Sequence, residues 1–175
     1  MITATAPGKI ILFGEHAVVY GRPAIAAPVS QVLARATITE TGGECTVVAQ
    51  NQNRIARYVY MADHDPLKAI ISHTIAKLGK AAPPKVTLFI QSTIPIAGGL
   101  GSGAAVSTAI ARALAAFYKR ELDAATISSL VYEVEKLHHG TPSGIDNTVI
   151  AFGKPVYFVR GPHPPPRPSA TPPPS

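Results

Sequence analysis

Tryptophan is absent from this chain, and cysteine occurs once, at Cys45. A lone cysteine excludes an internal disulfide, so packing and hydrogen bonding must hold the fold. Charged residues are scarce, 15% against 46% hydrophobic. That balance excludes a wholly disordered chain and argues for a compact fold. No apolar run approaches the ~20 residues that a membrane-crossing helix needs. The amino-terminal residues Met1 to Lys9 contain no basic stretch followed by an apolar one, and so do not read as a secretory signal. A soluble, cytoplasmic protein with no membrane association is the simplest expectation. Runs of like charge are also missing. The net charge is +6, but Lys and Arg are scattered from Lys9 to Arg167 and are not interleaved with the few Tyr and Phe. This argues against a nucleic-acid surface and leaves anionic small molecules as partners.

What is present alternates between strand-like and helix-like patterns. Lys9 to Phe13, Val32 to Thr39, Cys45 to Ala49 and Val156 to Val159 read as strands. Val86 to Gln91 reads as a further strand, packed on both faces. Asp65-Pro66 can start a helix whose Leu67, Ile70, Ile71, Ile75 and Leu78 share one side before Gly79 closes it. A glycine-rich loop from Pro95 runs into an alanine-rich helix ending near Tyr118, and another helix runs from near Asp123 or Thr126 to about His138. Residues 140–146 read as a loop. The fold class is α/β (mixed α+β). Eight of the 17 prolines fall between Pro162 and Pro174, so residues 161–175 are expected to form an extended or disordered tail outside a domain of residues 1–160.

Three constellations could carry chemistry. In Gly98-Gly-Leu-Gly-Ser-Gly103, glycines would let the backbone approach a phosphate at the start of a helix. A tight helix-entry turn is the plain alternative. Gly99, Gly101 and Ala104 also fit a dinucleotide fingerprint, but the loop from Thr93 is too long, and Glu121 sits between helices rather than at a strand end. No Lys-Ser or Lys-Thr follows, which excludes a Walker A loop. Lys9 opens an apolar strand that ends at Glu15-His16. It reads as a solvated edge residue or as one side of a polar pocket. Glu135, His138 and His139 share a helix face, as half of a metal site or as a solvated helix end. Asp146 follows them. A pair of carboxylates suits phosphoryl transfer, one holding Mg²⁺ and the other orienting a hydroxyl.

In this order the segments resemble the GHMP small-molecule kinases, and among them the branch acting on mevalonate. The first motif is Ala6-Pro-Gly-Lys-Ile-Ile-Leu-Phe-Gly-Glu-His-Ala-Val-Val-Tyr-Gly21, the second Pro95-Ile-Ala-Gly-Gly-Leu-Gly-Ser-Gly-Ala-Ala105, and the third runs from Glu135 through Asp146. The similarity spans residues 3 to 160. It implies ATP-dependent phosphorylation of mevalonate in isoprenoid biosynthesis. The alternatives are a sister kinase acting on another small alcohol and a non-catalytic fragment. Asp146 would be the catalytic base, with Lys9 stabilising charge beside it. Glu135 and Ser102 would ligate Mg²⁺. Pro95, Ile96, Ala97, Gly98, Gly99, Leu100, Gly101, Ser102, Gly103 and Ala104 would bind ATP. Lys9, Glu15, His16 and Asp146 would meet mevalonate. The implied fold is the amino-terminal domain of the family, of the ribosomal-protein-S5 domain 2 type.

Two departures accompany the resemblance. Many relatives carry a second loop serine that ligates Mg²⁺, where this chain has Gly103. After Arg160 the similarity stops, and the family's ferredoxin-like carboxy-terminal domain is expected to be missing. The proline-rich segment then reads as a truncation or an altered reading frame. A domain without its usual neighbour exposes apolar surface, which invites a homodimer.

Overall fold

A long antiparallel hairpin dominates the computed structural model, which describes residues 1–96, 98–139 and 141–159; at Val19, His138 and His139 only the backbone is described. Strand β1 is Ile2–Phe13 and β2 is Ala24–Glu40, joined through a short 3₁₀ turn at Ala17–Tyr20. Both strands exceed the expected segments. The extra residues in β1 are mostly Thr and Ala, too small to read as a hydrophobic run. Yet Ala6, Ala34 and Ala36 are fully buried, beneath a helix that is itself alanine-rich. Small residues on both surfaces permit that close approach.

Strand β3 is Thr46–Ala49, β4 is Arg54–Arg57, β5 is Val86–Ser92 and β6 is Val156–Phe158. The sheet runs β1-β2-β5-β3-β4, with β6 paired to the first residues of β2. Among the described residues only β3 and β5 pair in parallel. Helices α1 (Pro66–Lys77), α2 (Ser102–Phe117), α3 (Ala124–His139) and α4 (Ile145–Phe152) complete the order. The mixed α/β class expected from the sequence is the one observed.

The helices line one face of the sheet. Val86, Leu88 and Ile90 of β5 are buried, whereas Phe89 is 36% exposed and Gln91 is exposed. Strand β5 is therefore packed on one face, not both. Helix α1 begins as expected: the Asp65 carboxylate accepts from the Leu67 and Lys68 amides, and Pro66 sits at the first turn, where its missing N–H costs nothing. Residues expected to form a loop up to Asp146 are partly helical, since α4 starts at Ile145 and places Asp146 in its first turn. The expectation for the tail at 161–175 lies outside the described residues.

One irregularity in the hairpin matters for everything that follows. Ala6 pairs with Ala34 and Pro7 with Leu33, but Gly8 pairs with Val29. The shift reverses the parity of β1 relative to β2. Before it, Ala4 and Ala6 face the helices opposite Ala36 and Ala34. After it, Lys9 and Ile11 take that side, with Ile11 opposite the buried Ala26. Lys9 is thus turned inward, to 4% exposure, and is not a solvated edge residue.

Candidate active site

The inward turn of Lys9 brings β1 against the glycine-rich loop. Its backbone N–H donates to the Leu100 carbonyl at 3.0 Å. Gly8 permits this approach, since a side chain there would meet Val32 at 2.9 Å and the Leu100 oxygen at 3.3 Å. Gly101 ends the loop with φ +69°. A Cβ at that position would lie 2.8 Å from Ile150 and 3.0 Å from the aliphatic stem of Lys9. Only glycine suits both the left-handed backbone and the space.

Helix α2 starts directly after Gly101, and among the described residues no side chain caps its first amides. Those amides and the positive end of the helix dipole face a cleft of ≈ 610 Å³. Glu135 of α3 reaches the same end of α2. Its Oε1 lies 3.3 Å from where a Cβ on Gly103 would stand. Asp146 comes from the first turn of α4, and its Oδ1 is 2.8 Å from the Lys9 ammonium. The Asp146 side chain keeps 31% of its exposure, whereas Lys9 is enclosed. The pair is therefore open to the cleft from the carboxylate side.

Helix α4 is held in register by its neighbours. The Asn147 amide donates to the carbonyl and hydroxyl of Ser128 on α3, at 3.1 and 2.9 Å. Arg112 of α2 donates to the Thr5 carbonyl of β1 at 2.7 Å and to the Ala151 carbonyl of α4 at 2.9 Å. Burial pushes this guanidinium below its ordinary pKa. One side chain thus ties together the two elements that carry Lys9 and Asp146.

Most residues singled out in the sequence meet at this cleft. Lys9, Glu135, Asp146, Pro95, Ile96 and the run from Gly98 to Ala104 all line it. Ala97 lies outside the described residues. Glu15 lines a smaller adjoining cavity of ≈ 280 Å³, which shares Glu135 and Asp146 with the cleft. His16 is exposed and lines neither cavity. The side chains of His138 and His139 are not described, and no group of three or more His, Cys, Asp or Glu gathers among the described residues. Sequence reasoning missed Gln52, Arg54 and Ser107 on the cleft wall. Arg54, paired with the capping carboxylate of Asp65, carried no motif.

Chemically the cleft pairs an uncapped helix start, of a kind that can receive an anion, with a Lys–Asp couple whose lysine is enclosed and whose carboxylate is open. Its hard oxygen donors, Glu135, Asp146 and Ser102, are of the kind that suits Mg²⁺. That ion is usually held by one or two carboxylates together with substrate phosphates. The set fits such an ion better than a soft metal.

The comparisons give this fold and cleft a family. The chain belongs to the GHMP kinase family: the family description "GHMP kinases N terminal domain" matches residues 66–154. It is similar to the mevalonate kinase of Pyrococcus abyssi, at 34% identity over 92% of this chain and 52% of the relative. It is also similar to the mevalonate kinase of Thermococcus sibiricus, at 35% identity over 91% of this chain and 52% of that protein. Among solved structures, the Methanococcus jannaschii mevalonate kinase superposes with a TM-score of 0.81 at 28% identity, covering 91% of this chain and 53% of the other. The chain spans about half the length of the curated relatives it matches. None of its described helices is long and apolar enough to cross a membrane.

Proposed function

We propose that this chain carries the ATP- and mevalonate-binding site of a Mg²⁺-dependent, cytoplasmic mevalonate kinase. The observation that carries the reading is the Lys9–Asp146 pair, 2.8 Å apart beside the uncapped start of α2. The loop from Pro95 to Ala104, Ala97 included, would cradle the triphosphate through backbone amides and the helix dipole. Asp146 would accept the proton of the substrate hydroxyl as its oxygen attacks the terminal phosphorus. The bond from that phosphorus to the bridging oxygen breaks, and ADP leaves. Lys9 would hold the Asp146 carboxylate in place and offset negative charge growing on the attacking and transferring oxygens. Glu135 and Ser102 would hold Mg²⁺, which when bound neutralises charge on the phosphates. Glu15, in the adjoining cavity, would face the mevalonate. His16 would need to move to reach it.

Positioning and electrostatics dominate this chemistry, since the phosphoryl group needs little covalent help from the protein. A second reading rests on the half-length span of the relatives: these residues would bind nucleotide without turning it over. ADP release by the purified chain with Mg-ATP, with and without mevalonate, separates the two. Mevalonate-dependent turnover that falls about 10²–10⁴-fold in Asp146→Ala supports the kinase reading. Nucleotide binding without turnover supports the second. If the chain binds no nucleotide at all, both are wrong.

A further inference from the structure

The last turn of α4 lacks a donor that a helix usually finds in the chain that follows. The Ala151 carbonyl would accept from the amide four residues on, but Pro155 has no N–H to give. Arg112 of α2 supplies the donor instead, through Nη2 at 2.9 Å. Its Nη1 donates at 2.7 Å to Thr5 on β1. That strand is an edge of the sheet, where carbonyls turned away from β2 have no ladder partner. Glu121 and Asp123 line a cleft with Arg112, yet among the described residues no carboxylate forms an ion pair with it. A cation drawn out of water without a counter-ion is costly, and the two carbonyls are what offsets that cost.

We propose that Arg112 is a positioning residue that sets the approach of Asp146 to Lys9. Polar side chains hold α4 at both ends. At its first turn Asp146 meets Lys9, and Asn147 meets Ser128. At its last turn, among the described residues, Arg112 is the one side chain from another element that hydrogen-bonds to it. Asp146 and Ala151 are five residues apart, about 7.5 Å along the helix axis. Thr5 and Lys9 are four residues apart on β1. The guanidinium and the Lys9–Asp146 pair are therefore two ties across one contact between β1 and α4. Without the far tie, the short helix is free to turn about Asn147, and a shift at Ala151 is carried to Asp146. The inference rests on the kinase reading for what the pair does, and on the geometry alone for how the pair is held.

The role calls for arginine in particular. Its planar fork presents donors on two nitrogens at a fixed spacing, and each takes one carbonyl. Arg112→Lys keeps the charge and much of the stem but brings a single ammonium, so one of the two ties is weakened. Arg112→Met keeps the bulk and makes neither. Asp65→Ala serves as the control for lost stability. It opens the cap of α1, and the Asp65 hydrogen bonds run to Leu67, Lys68 and Arg54 rather than to β1 or α4.

The test reads the pair directly, by ¹⁵N NMR of the Lys9 ammonium in the full chain, assigned by its loss in Lys9→Arg. An enclosed, paired ammonium exchanges its protons with water slowly. Exchange should be about tenfold faster in Arg112→Met, the weight of one charge-assisted hydrogen bond in local opening. The increase should be smaller in Arg112→Lys, and exchange in Asp65→Ala should stay within about twofold of the parent. In the assay for ADP release, kcat should fall about 10–10²-fold in Arg112→Met. KM for ATP should stay within about twofold, because the α2 start is untouched. Exchange as slow in the Arg112 variants as in the parent overturns the proposal and leaves the kinase reading intact. An equal acceleration in Asp65→Ala overturns it too, since the effect would then belong to stability in general. If Arg112→Met does not fold, Arg112→Lys decides on the same terms. A parent chain that neither binds nor turns over nucleotide defeats the kinase reading, and the ammonium exchange then decides the positioning role by itself.

Discussion

Helices α1 and α2 begin a short distance apart on the same cleft wall and begin in opposite ways. At α1 the Asp65 carboxylate accepts from two backbone amides, Pro66 removes a third donor, and Arg54 neutralises the cap from outside. That start is closed. At α2, Gly101 offers no side chain, the following residues are Ser, Gly, Ala and Ala, and no side chain among the described residues caps the amides. A helix start of this kind is less stable alone, by about 1 kcal/mol for a missing cap. An anion seated on those amides would offset that loss. On the proposed function, the difference separates hydrogen-bonding capacity kept for a ligand from capacity spent within the fold.

The comparison can be broken most severely at Gly101. Gly101→Val would force a branched side chain into a left-handed backbone and against Ile150 and Lys9. Strain of about 1–3 kcal/mol and overpacking of similar size should appear in thermal denaturation. Nucleotide binding should be lost in calorimetry even at temperatures where the variant is folded. Unchanged binding would show that the α2 start is not the seat.

Asp65→Ala opens the closed helix. The expected loss is about 1 kcal/mol, a fall of about 2–4 °C in Tm for a chain of this size. Nucleotide affinity should stay within about threefold. A large affinity loss at constant Tm would place α1 in the binding site and erase the contrast between the two helices.

The smallest effect lies at the far, closed end of α2. There Tyr118 and the next two residues donate back to the helix carbonyls, and burial, with the nearby Cys45 adding to it, pushes the Tyr118 pKa up. Burial itself pushes the Cys45 thiol up to about 11 from 9.0. The folded state therefore holds this proton more tightly than the unfolded chain. Its contribution is complete below pH 9 and is lost as pH rises toward 11. Urea midpoints measured from pH 8 to 11 should decline, and Cys45→Ala should flatten part of that decline. An identical slope in the variant would assign the loss to other groups.

How much of this was legible beforehand varies by residue. Helix α1 was readable because its signals are local: Asp65-Pro66 at one end, Gly79 at the other and a periodic apolar side between. The glycine loop and the helix after it were readable for the same reason. Helix α4 was not, since it has only eight residues and enters from a left-handed glycine with no side-chain cap. The burial of Lys9 could not be read from spacing either. It depends on a register shift at Pro7 and Gly8, set by how two strands pair and not by either one alone. The approach of Glu135 to Gly103 and the tie from Arg112 to β1 and α4 are likewise tertiary. The resemblance of motifs named Lys9, Glu135 and Asp146 as a group, and the fold shows how they meet.

The central claim is that the open start of α2 is the triphosphate seat. Titration of a non-hydrolysable ATP analogue with Mg²⁺ into the ¹⁵N-labelled chain tests it most directly. The account predicts large amide shifts at residues 99–104 and at Lys9, with small ones at Leu67 and Lys68 under the closed cap of α1. Shifts that cluster elsewhere, as on the basic surface formed by Lys77, Lys119 and Arg120, would contradict it.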